Sequence, residues 1–206
     1  PCDELPPSII KRLPVRFTWD SNYFNDKYTG MPIGGYTQIF EKMLEDSEVR
    51  LNCDYFDDRN FYDGLADKVI YTGPIDKFFD YQFGKLEYRS LRWETEILEE
   101  DNFQGVPVVN YTDLKISYTR ILEHKWFDHQ NQKGTIISYE YPATYDGNNE
   151  PYYPIRDDKN TETYKKYQEL SEGLNGVIFG GRLARYVYYD MHQVIAQALK
   201  MLSEFD

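Results

Sequence analysis

Apolar positions recur along this chain with two different periods. Tyr36, Ile39, Phe40, Met43 and Leu44 fall at i, i+3, i+4, i+7 and i+8, which predicts an amphipathic helix opened by Gly34-Gly35. Short apolar runs follow: Val49 to Cys53 reads as a strand, and Lys68 to Thr72 as another, closed by Gly73-Pro74. Towards the end, Gly176 to Phe179 reads as a third, stopped by Gly180-Gly181. A long helix follows, carrying Met191, Val194, Ile195, Ala198, Leu199 and Leu202 on one face. Short strands that are apolar on both faces belong in a parallel sheet covered by helices.

The stretch between has a different texture. Arg89, Leu91, Trp93, Thr95 and Ile97 alternate with Ser90, Arg92, Glu94 and Glu96, the period-two pattern of a strand. Val106 to Tyr111, Arg120 to Trp126 and Thr135 to Tyr141 add further strands, separated by turn-rich segments such as Asn131-Gln132-Lys133-Gly134. Thr144 to Glu150 reads as a surface loop. Consecutive strands without intervening helices imply an antiparallel sheet. The predicted fold class is therefore mixed α+β and α/β, an antiparallel sheet module inserted into part of an α/β module.

Composition narrows the function classes. The chain has 206 residues, 41% of them hydrophobic, enough for a sizeable core. It has no apolar run near the length of a membrane span and no charged-then-apolar leader; its first residue is Pro1, which fits a processed chain or a piece of a longer one. Thirty-five acidic against 23 basic residues, a net charge of −12, argue against a nucleic-acid or anionic-membrane surface, while a few focused arginines can still hold a phosphate-bearing small molecule. Cys2 and Cys53 are the only cysteines and form no CxxC, and the three histidines show no HExxH spacing. Neither a disulfide framework nor a metal site is expected, and a reducing cytoplasm is the default. The 20 tyrosines have two readings, capping of strand ends and core edges, which composition favours, or lining of a polar ligand cleft.

Two features point to chemistry. Gly180-Gly181-Arg182 after a strand would let the backbone approach a ligand, with a helix N-terminus aimed at an anion, although such turns are more often structural. GxGxxG and the Walker loop are both absent, so no complete dinucleotide or nucleotide phosphate cradle is encoded. Arg12, Arg16, Arg89, Arg120 and Arg182 lie in or beside apolar and aromatic runs, where a guanidinium must be paired internally or bind something.

Several ordered blocks carry a resemblance. Ile9 to Thr18, Asn22-Tyr23-Phe24, Met31 to Tyr36, Tyr71 to Asp76, Leu86 to Leu91, Tyr118 to Lys125, Glu150 to Pro154, Phe179 to Ala184 and Tyr188 to Ile195 together closely resemble bacterial UDP-galactopyranose mutase. The resemblance covers about the C-terminal half of a family member; the half with the GxGxxG cradle of the FAD domain is missing. It implies a flavin-dependent isomerase that interconverts UDP-galactopyranose and UDP-galactofuranose through a flavin N5–sugar adduct, for surface glycans. Its partners would be those UDP-sugars, with a homodimer in the full-length protein, no nucleic acid and no membrane.

Residue by residue, the resemblance implies catalytic roles for Arg12, on a mobile loop, and Arg120, fixed near the flavin, both on the substrate diphosphate. It implies substrate binding by Tyr23, Asn110, Glu140, Tyr153 and Tyr188, and flavin-side contacts by Arg89, Gly181, Arg182, Asp190 and Met191. FAD is not expected to be retained by this chain alone. Trp19, Trp93, Trp126 and Arg185 depart from otherwise matching blocks and are expected to retune packing without touching those roles. The implied organisation is 1–29 for the mobile loop and entry to the sheet domain, 30–76 for part of the FAD-binding α/β domain, 77–142 for the substrate sheet and 143–206 for the returning part of the FAD-binding domain. A stand-alone, non-catalytic nucleotide-sugar or glycan-binding module is the alternative.

Overall fold

The period-two stretch becomes β2 (Tyr88–Leu98), the longest strand in a computed structural model that describes residues 17–19, 26–128 and 132–202. It pairs antiparallel with β5 (Thr135–Thr144) in unbroken register from Arg89↔Thr144 to Leu98↔Thr135. Around that pair the sheet runs in the order β3-β4-β5-β2-β6, with β3 (Val108–Asn110), β4 (Arg120–Glu123) and β6 (Tyr153–Pro154). The second texture forms a separate sheet, in which β1 (Val69–Tyr71) and β7 (Val177–Phe179) pair in parallel. The division into an antiparallel and a parallel sheet thus follows the two periods in the sequence.

The chain divides into two units, Pro1–Val49 and Arg50–Asp206, and both sheets lie in the second. The first unit contributes α1 (Thr37–Met43) over the predicted amphipathic stretch, but no residue of α1 is buried and Ile39, Phe40 and Met43 all face solvent. Arg12 and Tyr23 lie outside the described residues.

The second unit is built around buried aromatics. Short helices α2 (Arg59–Asp63) and α3 (Ile75–Phe78) flank β1. Ile75, Leu86, Tyr88, Tyr167 and Tyr186 form one core cluster, and Tyr71, Phe78 and Ala184 a second. Burial of a large apolar side chain is worth about 1.5–3 kcal/mol, so these few rings supply much of the core. Tyr167 comes from α4 (Asp158–Glu172); its hydroxyl accepts from Phe83 N at 3.0 Å and donates to Gly84 O at 2.9 Å. The Tyr186 hydroxyl lies 2.6 Å from Glu87 O and 2.7 Å from Ile155 O, tying the C-terminal segment to the entry of β2 and the exit of β6. For Tyr71, Tyr88, Tyr167 and Tyr186 the structural reading of the tyrosine excess therefore holds.

Two sequence expectations are corrected, and one helix is new. Val49 to Cys53 is not a strand; it is exposed, and no partner strand covers its apolar side chains. β4 stops at Glu123 instead of running to Trp126, and a 3-10 turn (His124–Phe127) bends buried Lys125 inward. Lys125 Nζ donates to the carbonyls of Asp101, Gln132 and Gly134 at 2.7, 3.0 and 3.0 Å, a cage that an extended strand would not give. Helix α4 was not expected. It starts at Asp157, whose carboxylate accepts from Asn160 N at 2.8 Å, an N-cap worth about 1 kcal/mol. The chain continues through α5 (Gly181–Ala184) into α6 (Met191–Leu202). No residue of α6 is buried, and Met191, Ile195, Leu199 and Leu202 on its apolar face are exposed. None of the described helices is long and apolar enough to cross a membrane.

Candidate functional site

Strand alternation gives the antiparallel sheet two faces, and register decides which side chains share one. Asn110 pairs with Arg120, Arg120 with Glu140, and Glu140 with Trp93. Directly opposed residues point to the same side. Asn110, Arg120, Glu140 and Trp93 therefore stand in one row across β3, β4, β5 and β2. Three of the four are residues singled out in the sequence. The fourth, Trp93, is one of the residues expected from the sequence to retune packing.

The row is electrostatically organised. Arg120 Nε lies 2.8 Å from Glu140 Oε1; the guanidinium side chain is 40% exposed while the carboxylate is buried. The Nε–H is not aligned for a hydrogen bond, so the contact is one of opposite charge. Thr119 fills the remaining role: its Oγ1 donates to the same Oε1 at 2.7 Å, and its N–H donates to Glu140 O at 2.8 Å. Glu140 thereby lies against the Nε edge of the guanidinium, and no described group bonds its terminal nitrogens. Asn110 is exposed at the end of β3.

A second cluster stands on the same face. Arg89 opposes both Thr144 and Tyr153, which puts Tyr153 on the side of Glu140 and Trp93. Arg89 and Trp93 are four residues apart on β2, about 13 Å along the strand. Tyr153 stacks on Tyr188 with ring centroids 5.5 Å apart, and the Arg182 guanidinium sits 4.6 Å over the Tyr188 ring. Arg182 Nη2 also donates to Tyr152 O at 2.8 Å, and Tyr152 N donates to Arg89 O at 3.1 Å, so Arg182 braces both tyrosines. Burial, and then the neighbouring Asp190 charge, push the Tyr188 phenol upward, which keeps it a neutral donor at pH 7. Arg89 is exposed.

The glycine turn follows the structural reading that such turns more often have. Gly180-Gly181 does follow β7, and Gly181 adopts φ +74, a conformation that side-chain-bearing residues rarely adopt. A Cβ there would lie 3.4 Å from Thr72 Cβ, so the close approach is to β1's own exit. The helix that follows, α5, is a single turn, so it offers no extended helix N-terminus to an anion. Asp190 precedes α6 and donates its N–H to Gln193 Oε1 at 2.8 Å, and Met191 is exposed at the helix start.

Sequence reasoning missed Glu123, which ties the 103–105 segment and the start of β5 to β4. It is fully buried on the face opposite Arg120, and Oε1 accepts from Phe103 N and Thr135 Oγ1 at 3.0 and 2.8 Å. Oε2 accepts from Gln104 N and Gly105 N at 2.8 and 3.2 Å. Burial pushes its carboxyl upward, but these donors outweigh burial and bring it down to about 2. The only signal in the sequence was an acid ending an apolar run. Among the described residues no group of His, Cys, Asp and Glu could hold a metal ion.

Comparison with known proteins gives one family. The family model described as UDP-galactopyranose mutase matches residues 1–188. A probable UDP-galactopyranose mutase of Klebsiella pneumoniae is 42% identical over 206 residues, covering 98% of this chain and 52% of that protein. The dTDP-fucopyranose mutase of Escherichia coli is 36% identical, over 96% of this chain and 54% of its own length. The UDP-galactopyranose mutase of Mycoplasma genitalium is 38% identical, over 94% of this chain and 52% of its own length. The chain spans about half the length of the curated relatives it matches.

Proposed function

This chain belongs to the UDP-galactopyranose mutase family, and from that premise we propose that it forms the substrate-side part of an isomerase interconverting UDP-galactopyranose and UDP-galactofuranose. The observation that carries the reading is the row Asn110, Arg120 and Glu140 on one sheet face, with Tyr153 and Tyr188 further along it. Glu140 occupies the Nε edge of Arg120, which leaves the two terminal nitrogens for bidentate binding of a diphosphate. In a flat sheet, three strand spacings and four residues of rise separate the Arg120 and Tyr153 Cα atoms by about 19 Å. Both stand on the same face, so Arg120 and Tyr153 bracket the strip of sheet that carries Glu140 and Trp93.

The chemistry asked of these residues follows. When the bond between the anomeric carbon and UDP breaks, negative charge collects on the departing diphosphate. A guanidinium already fixed by Glu140 stabilises that charge without reorganising. Tyr153 and Tyr188 donate their hydroxyls to phosphate oxygens, and Asn110 and Glu140 orient the sugar hydroxyls. Arg12 and Tyr23, outside the described residues, take the roles of a loop-borne cation and a cleft tyrosine.

Reduced FAD supplies the nucleophile for this reaction when bound, and Arg89, Gly181, Arg182, Asp190 and Met191 are assigned to one edge of it. The described residues do not fit its pyrophosphate: Gly180-Gly181 opens one helical turn and no GxGxxG is encoded. FAD is therefore not held by this chain by itself. We assign 1–29 to the loop and sheet entry, 30–76 and 143–206 to the FAD-binding α/β domain and 77–142 to the substrate sheet. The parallel pairing of β1 with β7 supports joining the second and fourth segments. A cytoplasmic location and a homodimer complete the reading. A stand-alone binding module is not favoured, since the family match runs through substrate-side and flavin-side segments alike.

The test is turnover of UDP-galactofuranose by the reduced, intact enzyme carrying Arg120→Ala. A loss of about 2–4 kcal/mol in kcat/KM is expected. A value near wild type removes Arg120 from the site.

A further inference from the structure

We propose that Trp93 is a specificity-determining residue whose indole face receives the sugar ring of the nucleotide-sugar; this rests on the function proposed above. Along β2 the residues Arg89, Leu91, Trp93, Thr95 and Ile97 share the site face, and of these only Trp93 is aromatic. Its cross-strand partner is Glu140, so indole and buried carboxylate are immediate neighbours. Opposed residues hold their Cβ atoms about 5 Å apart, within the span of a single sugar ring.

The tryptophan is 38% exposed, and among the described residues its indole takes part in no ring contact or hydrogen bond. That is an unusual state for the largest apolar side chain on a sheet that packs rings wherever it can. On the other face, Tyr118 packs edge-on against both Tyr139 and Tyr141, and Arg92 lies 4.0 Å over Tyr141. The other two tryptophans differ: the Trp126 ring nitrogen is buried, and Trp19 belongs to the first unit. Trp93 alone offers an open aromatic face next to an acceptor that is already positioned.

These two groups match the two sides of a sugar ring. A hexose presents C–H bonds on one side, which pack on an aromatic face, and hydroxyls at its edge, which donate to a carboxylate. Glu140 has one oxygen engaged by Arg120 and Thr119, and no described group bonds its Oε2. In the row, Arg120 and Trp93 lie on opposite sides of Glu140, so a ligand whose diphosphate reaches Arg120 extends its ring across Glu140 to the indole. The row thus separates two affinities, one for diphosphate at β4 and one for sugar at β2.

That separation gives the test. Dissociation constants of UDP and of UDP-galactose are measured by calorimetry on the intact enzyme, as wild type, Trp93→Phe and Trp93→Leu, with circular dichroism to check the fold. UDP binding should be unchanged within about twofold in both variants. UDP-galactose binding should weaken about tenfold in Trp93→Leu and less in Trp93→Phe, which keeps an aromatic face. Tryptophan emission of the wild type should respond to UDP-galactose more than to UDP, and Trp93→Phe should lose that difference. Wild-type affinity for UDP-galactose in Trp93→Leu overturns the proposal, as does an equal loss of UDP and UDP-galactose. Failure of the wild type to bind UDP overturns the mutase reading itself, and this inference with it.

Discussion

Replacing Glu123 by glutamine tests whether the antiparallel sheet is held by a buried charge. The native carboxylate accepts four hydrogen bonds, from the N–H groups of Phe103, Gln104 and Gly105 and from the Thr135 hydroxyl. Glutamine keeps the shape, but its amide NH2 turns a donor toward backbone donors. At least one buried N–H loses its acceptor, at a cost of about 1–3 kcal/mol. A second route gives a similar magnitude. The carboxyl falls from its ordinary 4.5 to about 2 in the folded protein, which corresponds to roughly 3 kcal/mol of stability. Because the folded value is depressed, that stability is fully present above pH 4.5 and is lost as pH falls through about 2.

Urea unfolding of wild type and Glu123→Gln at pH 7 and pH 3 reads both quantities. At pH 7 the variant should be about 3 kcal/mol less stable. At pH 3 the wild type has lost roughly 2 kcal/mol of the Glu123 contribution, so the gap should shrink to about 1 kcal/mol. All other carboxylates titrate alike in both proteins and cancel in the difference. Two curves that stay parallel between pH 7 and pH 3 would refute the charged-acceptor account of Glu123.

Gly181→Ala should destabilise the chain by about 1 kcal/mol or more in thermal unfolding, because φ +74 disfavours any Cβ and Thr72 Cβ stands 3.4 Å away. The 206-residue chain mixed with FAD and desalted should carry no stoichiometric flavin band in its visible spectrum; retained FAD would overturn the cradle argument. Arg120→Lys should recover only part of the turnover lost in Arg120→Ala, since an ammonium restores charge without the two terminal nitrogens that Glu140 leaves free. Full recovery in steady-state kinetics would show that charge alone suffices.

What could be read from the sequence depended on how far each signal was local. β2 was legible because its residue types alternate with period two, and β5 as a strand-forming run bounded by a turn, although β2 is exposed on both faces from Arg92 to Ile97. β1 and β7 were legible as short apolar runs with glycine stops. Helix α4 was not, because its buried stripe reduces to Tyr164, Tyr167 and Leu170 in a charged segment, although Asp157 and Asn160 carried a capping signal. The roles of Arg120 and Glu140 came from resemblance, while their pairing came from register between strands far apart in sequence. Glu123 and Trp93 gained their importance the same way: nothing near Glu123 in sequence announces Phe103 as a donor, and nothing near Trp93 announces Glu140. The faces of α1 and α6 were correctly amphipathic in sequence, but amphipathicity does not say what covers the apolar side, and both stand exposed among the described residues.

The β2–β5 pairing also governs how quickly this sheet can assemble. Its closest partners, Leu98 and Thr135, are separated by all of β3, β4 and the 3-10 turn, and its outermost, Arg89 and Thr144, by still more chain. The two strands at the centre of the sheet cannot zip from a tight hairpin. A long loop must close before the first hydrogen bond forms, and its entropy is lost before pairing returns anything. Folding should accordingly run on the millisecond-to-second scale of non-local β topologies, slower than its helices would suggest. During that interval the alternating strand Arg89 to Leu98 is an unpaired edge, and Arg92, Glu94 and Glu96 on one side of it act as charged gatekeepers against premature pairing with another chain.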